Sequence, residues 1–209
     1  MALIGAPLFP AALRLILVAD VDDARRGDRI DAALSSGVTC VWLRAPEATG
    51  RVLYDAAGGL LLRCRRLGAA LLIGDRVDVA LAVGADGVQL GGRAVPARAV
   101  RPWYRGWIGV SCHGAQDLAA AHAAGADHVV VSPVFGVPLK GLPLGVEGLA
   151  ALVRGFPLPV VALGGIDAGN VALVRTVPEV AGTAVIRALR DAPDPAAAAR
   201  ALSVPVTAR

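Results

Sequence analysis

The chain has 209 residues, is 56% hydrophobic and carries a formal charge of +4, enough for one full core and near the lower end for an eight-unit α/β barrel. Mean hydropathy is +0.60, yet Ala, Val and Leu are spread along the whole length, and no apolar run of roughly eighteen residues lacks a charge, which argues against a membrane span. Aromatics are only 4% of the chain and no basic stripe interleaves with them, so the scattered arginines suit an anionic small molecule better than nucleic acid.

The opening MALIGAPLFPAALRLILVAD lacks a basic leading region, and its apolar part runs directly into a first strand, so no signal peptide is expected. Cys40, Cys64 and Cys112 are odd in number, with neither zinc nor redox spacing. A reduced, cytoplasmic protein is the expectation.

The elements alternate from end to end. A strand over 15–19 leads to a helix over 23–35. A strand over 39–43 ends at Arg44 in VWLRAP, which would aim a guanidinium past the strand. The helix over 50–67 closes on Arg63, Arg65 and Arg66, where cations complement the helix dipole. The strand over 70–73 is followed by Asp75 in LLIGDRVD, a carboxylate that could ligate a metal or serve a polar site, cap the helix over 77–83, or pair with Arg76. The strand over 87–89 and helix over 96–103 enclose VQLGGRAV, which offers Arg93 and no carboxylate.

The strand over 107–110 runs into IGVSCHG, placing Ser111 and His113 at its end, before a helix over 116–124 that contains His122 on a surface position. His128 begins the strand over 128–131 and reads as structural. An imidazole just beyond a strand's C-terminal end is where a barrel places a general acid/base, so His113 is the catalytic candidate. Ser132 follows the sixth strand. The long loop VFGVPLKGLPLG then carries Lys140 and suits a mobile lid before the helix over 146–153. No G-x-S-x-G elbow marks either serine as a nucleophile.

The strand over 160–163 ends in Gly164-Gly165, with Asp167 placed to cap a helix over 168–177. Two glycines leave backbone N–H groups uncovered where an anion can approach. About twenty residues on, a strand over 184–186 is followed by Arg187, and a helix over 195–202 closes the pattern. Neighbouring sites on the last two βα loops of a barrel bind a substrate phosphate.

Runs such as VVALG and HVVV are apolar at every position, as strands covered on both faces should be. Helix-ending glycines recur as SSGVT, RLGAA, AVGAD and AAGAD, each followed at once by a strand. Eight βα units with no linker between them predict α/β architecture, a single-domain (β/α)8 TIM barrel over residues 1–209, preferred to an open doubly wound sheet. In it, Arg44, Asp75, Ser111, His113, Ser132, Lys140, Gly164, Gly165 and Arg187 share one mouth.

Read in order, GDRVDVALAVGADGVQLGG, IGVSCHG, GADHVVVSPVF, PVVALGGID and AVIRAL resemble the thiamine phosphate synthase superfamily over residues 15–202. The resemblance implies a (β/α)8 fold that binds a thiazole phosphate, and one of two activities. The synthase joins a pyrimidine pyrophosphate to the thiazole phosphate with Mg²⁺; the TenI-type tautomerase aromatises the thiazole precursor.

Several positions depart from the synthase pattern. Where synthases resemble Q-x-R-x-K, this chain has Trp42, Arg44 and Pro46. Their Asn-Asp corresponds to Gly74 and Asp75, and their second metal-binding Asp falls on Ala94. Their loop threonines fall on Val137 and Leu139, with Lys140 kept. The phosphate end persists in Gly165, Ile186 and Arg187, the last replacing a serine. One Asp without a pyrophosphate clamp is poor equipment for synthase chemistry.

The reading from sequence is therefore a TenI-like tautomerase. His113 moves the proton, Arg44 meets the substrate carboxylate, and Asp75, Ser111, Ser132, Lys140, Gly164, Gly165, Ile186 and Arg187 line the substrate site. No metal or cofactor is expected, with Mg²⁺ required only under the alternative, a thiamine phosphate synthase; a silent binder of thiamine intermediates is the third reading. The expected partner is a phosphorylated thiazole, with neither nucleic acid nor membrane. A homo-oligomer is compatible with the sequence.

Overall fold

The computed structural model describes residues 8–138 and 141–203. Eight parallel strands close into a barrel in sequence order: β1 (Leu15–Ala19), β2 (Cys40–Leu43), β3 (Ala70–Gly74), β4 (Gly87–Leu90), β5 (Trp107–Cys112), β6 (His128–Val131), β7 (Val160–Leu163) and β8 (Val180–Val185). Closure runs through β1 and β8, with Leu15 opposite Thr183 and Leu17 opposite Val185. The TIM barrel expected from sequence is present.

Alternation along each strand divides the core in two. Ile16, Val18, Cys40, Trp42, Leu72, Val130 and Val161 point inward and pack on one another, with Phe9 and Trp107 packed against them. Leu15, Leu17, Val41, Leu43, Leu71 and Ile73 point outward, where the helices cover them. Both sets are buried, which is why these strands are apolar at every position.

The helices around the barrel are α1 (Val21–Arg25), α2 (Gly27–Leu34), α3 (Gly50–Leu67), α4 (Val77–Val83), α5 (Ala97–Val100), α6 (Ala115–Ala123), α7 (Gly145–Val153), α8 (Val171–Val174), α9 (Arg187–Arg190) and α10 (Pro195–Leu202). Helix α3 shows the local logic. Thr49 accepts the N–H of Val52 at its start, Gly68 ends it at φ 71°, and Leu53, Ala57, Leu60 and Cys64 form its buried stripe. The recurrent Gly-Ala-Asp after helices has a second purpose. The Asp86 and Asp127 carboxylates accept the N–H of Leu71 and of Ile108, each at 2.7 Å, and also pair with Arg65 and Arg101. Each αβ turn is thereby tied to the start of a strand.

Several expected elements change, and the helix expected over 96–103 shrinks to α5. The helix expected over 23–35 is two helices, broken at Arg26 (ψ 53°); α1 starts at Val21 on an Asp20–Asp23 capping box. Strand β8 begins at Val180, four residues before the expected start at 184, because Gly182 lets the strand lie against Leu13. The helix expected over 168–177 shrinks to α8, and α9 follows β8 unannounced. No helix among the described residues is long and apolar enough to cross a membrane. The three cysteines are buried and unpaired.

Candidate active site

The ends of β7 and β8 form a cup. Gly164 and Gly165 take φ 108° and 63°, the left-handed region that glycine enters without penalty. The 133–136 segment after β6 presses against them: Val134 N–H donates to Leu163 O at 3.0 Å and Phe135 N–H to Gly164 O at 2.9 Å. A Cβ on Gly165 would stand 2.8 Å from Phe135 Cβ, so glycine is required for fit as well as for conformation.

With those carbonyls occupied, the Gly165 and Ile166 N–H groups find no acceptor among the described residues. At the start of α9 the N–H groups of Arg187 and Ala188 find no acceptor among the described residues either, whereas those of Leu189 and Arg190 donate to Ile186 O. Leu163, Gly164, Gly165, Ile166, Ile186, Arg187 and neighbours line a cavity of about 380 Å³. Free N–H groups and an exposed guanidinium around one cavity can hold a phosphate.

Asp167 does not cap a helix. Its Oδ1 accepts the N–H of Gly169 at 2.8 Å within a turn. Asn170 competes for the local backbone: its Oδ1 accepts Asp167 N–H at 3.0 Å, and its Nδ2 donates to Gly165 O at 2.9 Å. Such Asx-type bonds brace the turn before α8, and the Asn170 amide occupies the Gly165 carbonyl. Sequence reasoning passed over Asn170, although G-I-D-x-G-N carried the turn signal.

At the end of β5, exposed His113 places Nδ1 2.6 Å from Ser132 O. A carbonyl only accepts, so in the neutral ring Nδ1 carries the hydrogen and Nε2 keeps its lone pair. Asp117 fixes the segment by accepting His113 N–H at 2.7 Å. The imidazole is thus held with one nitrogen ready to take a proton. Buried Ser132 contributes its carbonyl to this contact.

Asp75 neither caps α4 nor pairs with Arg76. Helix α4 has no side-chain cap, and Arg76 binds Asp78 at 2.6 Å. Instead Asp75 sits at φ 60° with its Oδ1 accepting Gly91 N–H at 2.7 Å. A non-glycine residue there costs of order 1–3 kcal/mol, and such strain is common at functional positions. Among the described residues no group of three His, Cys, Asp or Glu side chains could hold a metal.

Arg44 is exposed beyond β2 and makes no salt bridge among the described residues, whereas Arg93 pairs with Glu47 at 3.6 Å. Ser111 lies inside β5 and accepts a hydrogen bond from Gln89 at 3.2 Å. Lys140 lies outside the described residues. The structure thus gathers Gly164, Gly165, Ile186 and Arg187 around one cavity and joins His113 to Ser132. Arg44, Asp75 and Ser111 lie at the same end of the barrel without touching that cup.

Residues 15–189 match the family described as TMP-TENI, thiamine monophosphate synthase. A putative thiamine-phosphate synthase of Geobacter sulfurreducens is 44% identical over 178 residues, 83% of each chain. A thiamine-phosphate synthase of a Roseiflexus species is 41% identical over 180 residues, 84% of this chain and 76% of that one. Among solved structures, a thiamine phosphate pyrophosphorylase from Pyrococcus furiosus superposes with a TM-score of 0.84 at 33% identity, covering 92% of this chain and 94% of the other.

Proposed function

The chain belongs to the TMP-TENI family, thiamine monophosphate synthase, and on that premise we propose that it is an enzyme of thiamine biosynthesis that joins a pyrimidine pyrophosphate to a thiazole phosphate. The observation that carries this reading is the 44% identity to a putative thiamine-phosphate synthase over 83% of the chain. The sequence alone put tautomerisation first; the relatives favour the transfer.

The β7–β8 cup seats the thiazole phosphate on Gly165 and Ile166 N–H groups, the start of α9 and the Arg187 guanidinium. The pyrimidine pyrophosphate then occupies the β2–β5 side of the mouth, where Arg44 offers it positive charge and Ser111 a hydrogen bond. Holding two reactants in line removes much of the entropic barrier to a bimolecular step. Asp75 alone does not fit a resident metal site, and Ala94 supplies no second carboxylate. Asp75 would be the one protein carboxylate to meet a Mg²⁺ ion carried by the substrate, which would neutralise charge on the pyrophosphate, since Mg²⁺ is commonly held by one or two carboxylates together with substrate phosphates.

One observation favours a second reading, the tautomerase. His113 has its Nδ1 fixed on Ser132 O and its Nε2 open, an arrangement suited to shuttling a proton within a bound ring. The two are separated by incubating the protein with both precursors, titrating Mg²⁺ and quantifying thiamine phosphate. Product whose rate rises with Mg²⁺ supports the transfer. Absence of product, with aromatisation of the thiazole precursor by itself, overturns it in favour of the tautomerase.

A further inference from the structure

Inside the barrel, below the mouth, three polar side chains from three strands form one chain. Gln89 on β4 pairs in register with Gly109 on β5, and Gly109 with His128 on β6, so all three stand at one level. Gln89 and His128 are both fully buried. A Cβ on Gly109 would lie 2.1 Å from Gln89 Oε1 and 2.3 Å from His128 Nε2. The two side chains therefore meet over the glycine, in the space a larger residue would fill. Their atoms are 3.1 Å apart, and Gln89 Nε2 reaches Ser111 Oγ at 3.2 Å.

This chain has a direction. An amide oxygen accepts and an amide nitrogen donates. His128 must carry its hydrogen on Nε2 to satisfy Gln89 Oε1, and Gln89 then donates to Ser111. With its oxygen accepting from Gln89, the Ser111 hydroxyl keeps its own hydrogen for another partner. Ser111 is half-buried, two residues further along β5 toward the mouth.

The cost sits at the other end: His128 Nδ1 is buried with no hydrogen-bond partner among the described residues. Burial also holds this imidazole neutral, with its pKa pushed down to about 4. Stability alone would favour an apolar residue here, because an unpaired buried polar atom is expensive. Phe9, whose ring lies 6.2 Å from that of His128, provides apolar company without relieving the nitrogen.

We propose that His128 and Gln89 are positioning residues that fix the Ser111 hydroxyl as a hydrogen-bond donor to an anionic oxygen of the substrate at the mouth. The inference rests on the mouth being the substrate site, and the class of ligand is the pyrophosphate end of the pyrimidine substrate. Reversing the chain, with Gln89 flipped and Ser111 donating inward, would move the histidine hydrogen to Nδ1 and turn a lone pair toward the ligand.

Two experiments test it. Nitrogen-15 NMR on the ligand-free protein should show His128 Nε2 as the protonated, pyrrole-type nitrogen and Nδ1 as the bare one; the opposite tautomer overturns the proposal. This arm needs no substrate, so it stands or falls separately from the proposed function. The second arm is a double-mutant cycle on binding of inorganic pyrophosphate and of the pyrimidine pyrophosphate, read by calorimetry. Gln89→Met should weaken both about tenfold in the parent and change nothing further in Ser111→Ala. Equal losses in both backgrounds would make Gln89 merely structural and overturn the proposal. If Gln89→Met fails to fold, His128→Phe takes its place in the cycle, with the same two outcomes.

Discussion

Gly165→Ala perturbs the phosphate cup with one methyl group. At φ 63° a residue with a Cβ costs about 1–2 kcal/mol. That Cβ would also stand 2.8 Å from Phe135 Cβ and 3.0 Å from Gly136 O, so the segment after β6 must move, at about 1–3 kcal/mol. Together these make ~2–5 kcal/mol, which for a chain of this size lowers Tm by roughly 4–20 °C. The segment that moves is the one occupying the Gly164 carbonyl through Phe135 N–H. One charge-assisted hydrogen bond to phosphate is lost or misaligned, which weakens thiazole phosphate binding about 10–100-fold. Gly92→Ala is the control: a Cβ there meets nothing within 4 Å, and its stability should stay within about 0.5 kcal/mol of the parent. Thermal melts and calorimetric titration with thiazole phosphate read both effects. A Gly165→Ala protein that melts and binds like the parent refutes the placement of the phosphate.

Three further outcomes follow from the same structure. Asp75→Asn keeps a group that can accept Gly91 N–H but removes the charge; the transfer should slow by about 10²-fold or more, with higher Mg²⁺ restoring little of it, and an unchanged rate would remove Asp75 from the pyrophosphate site. Because burial pushes His128 down to about 4 while an unfolded histidine titrates near 6.5, the unfolded chain binds a proton that the folded one refuses. Stability is therefore undiminished above about pH 6.5 and falls as pH drops toward 4, by up to about 3 kcal/mol. Urea unfolding across that window should show the slope, and His128→Phe should flatten it; an equal slope in the variant contradicts the assignment. His113→Gln should slow any tautomerisation by ~10²–10⁴-fold while His122→Gln leaves it unchanged, and parental rates in both would exclude His113 as the proton carrier.

Much of the barrel is legible residue by residue where punctuation and periodicity agree. Helices α3 and α4 are bounded as the sequence predicts because Gly68 and Gly84 supply left-handed ends (φ 71° and 73°). Strands β1, β6 and β7 match because apolar runs end at polar or glycine residues. The misses come from tertiary contacts. Nothing local breaks the chain at Arg26, but Gly27 lies so close to Arg63 that a Cβ would meet Nη2 at 1.9 Å. Gly182 makes the start of β8 look like a turn, and only the approach of Leu13 explains it.

The site divides the same way. Gly164-Gly165 advertises the cup in sequence, and His113 is visible by its position after β5. Gln89 was missed because its partners stand 22 and 39 residues away and meet it only once the barrel closes. A lone glutamine in VQL, a glycine in IGV and a histidine opening HVVV were the available signals. The sequence allows Asp75 to cap α4, to pair with Arg76 or to serve the site, and the structure removes the first two by giving Arg76 to Asp78 and leaving α4 uncapped.

Phosphorus-31 NMR of the protein mixed with the pyrimidine pyrophosphate, the thiazole phosphate and Mg²⁺ follows the transfer itself. If the chain joins the two substrates, the signals of the organic pyrophosphate give way to free pyrophosphate as the thiazole phosphate resonance becomes that of thiamine phosphate, in equal amounts. Unchanged spectra over many hours at saturating Mg²⁺, from a protein that still binds the thiazole phosphate, would contradict it.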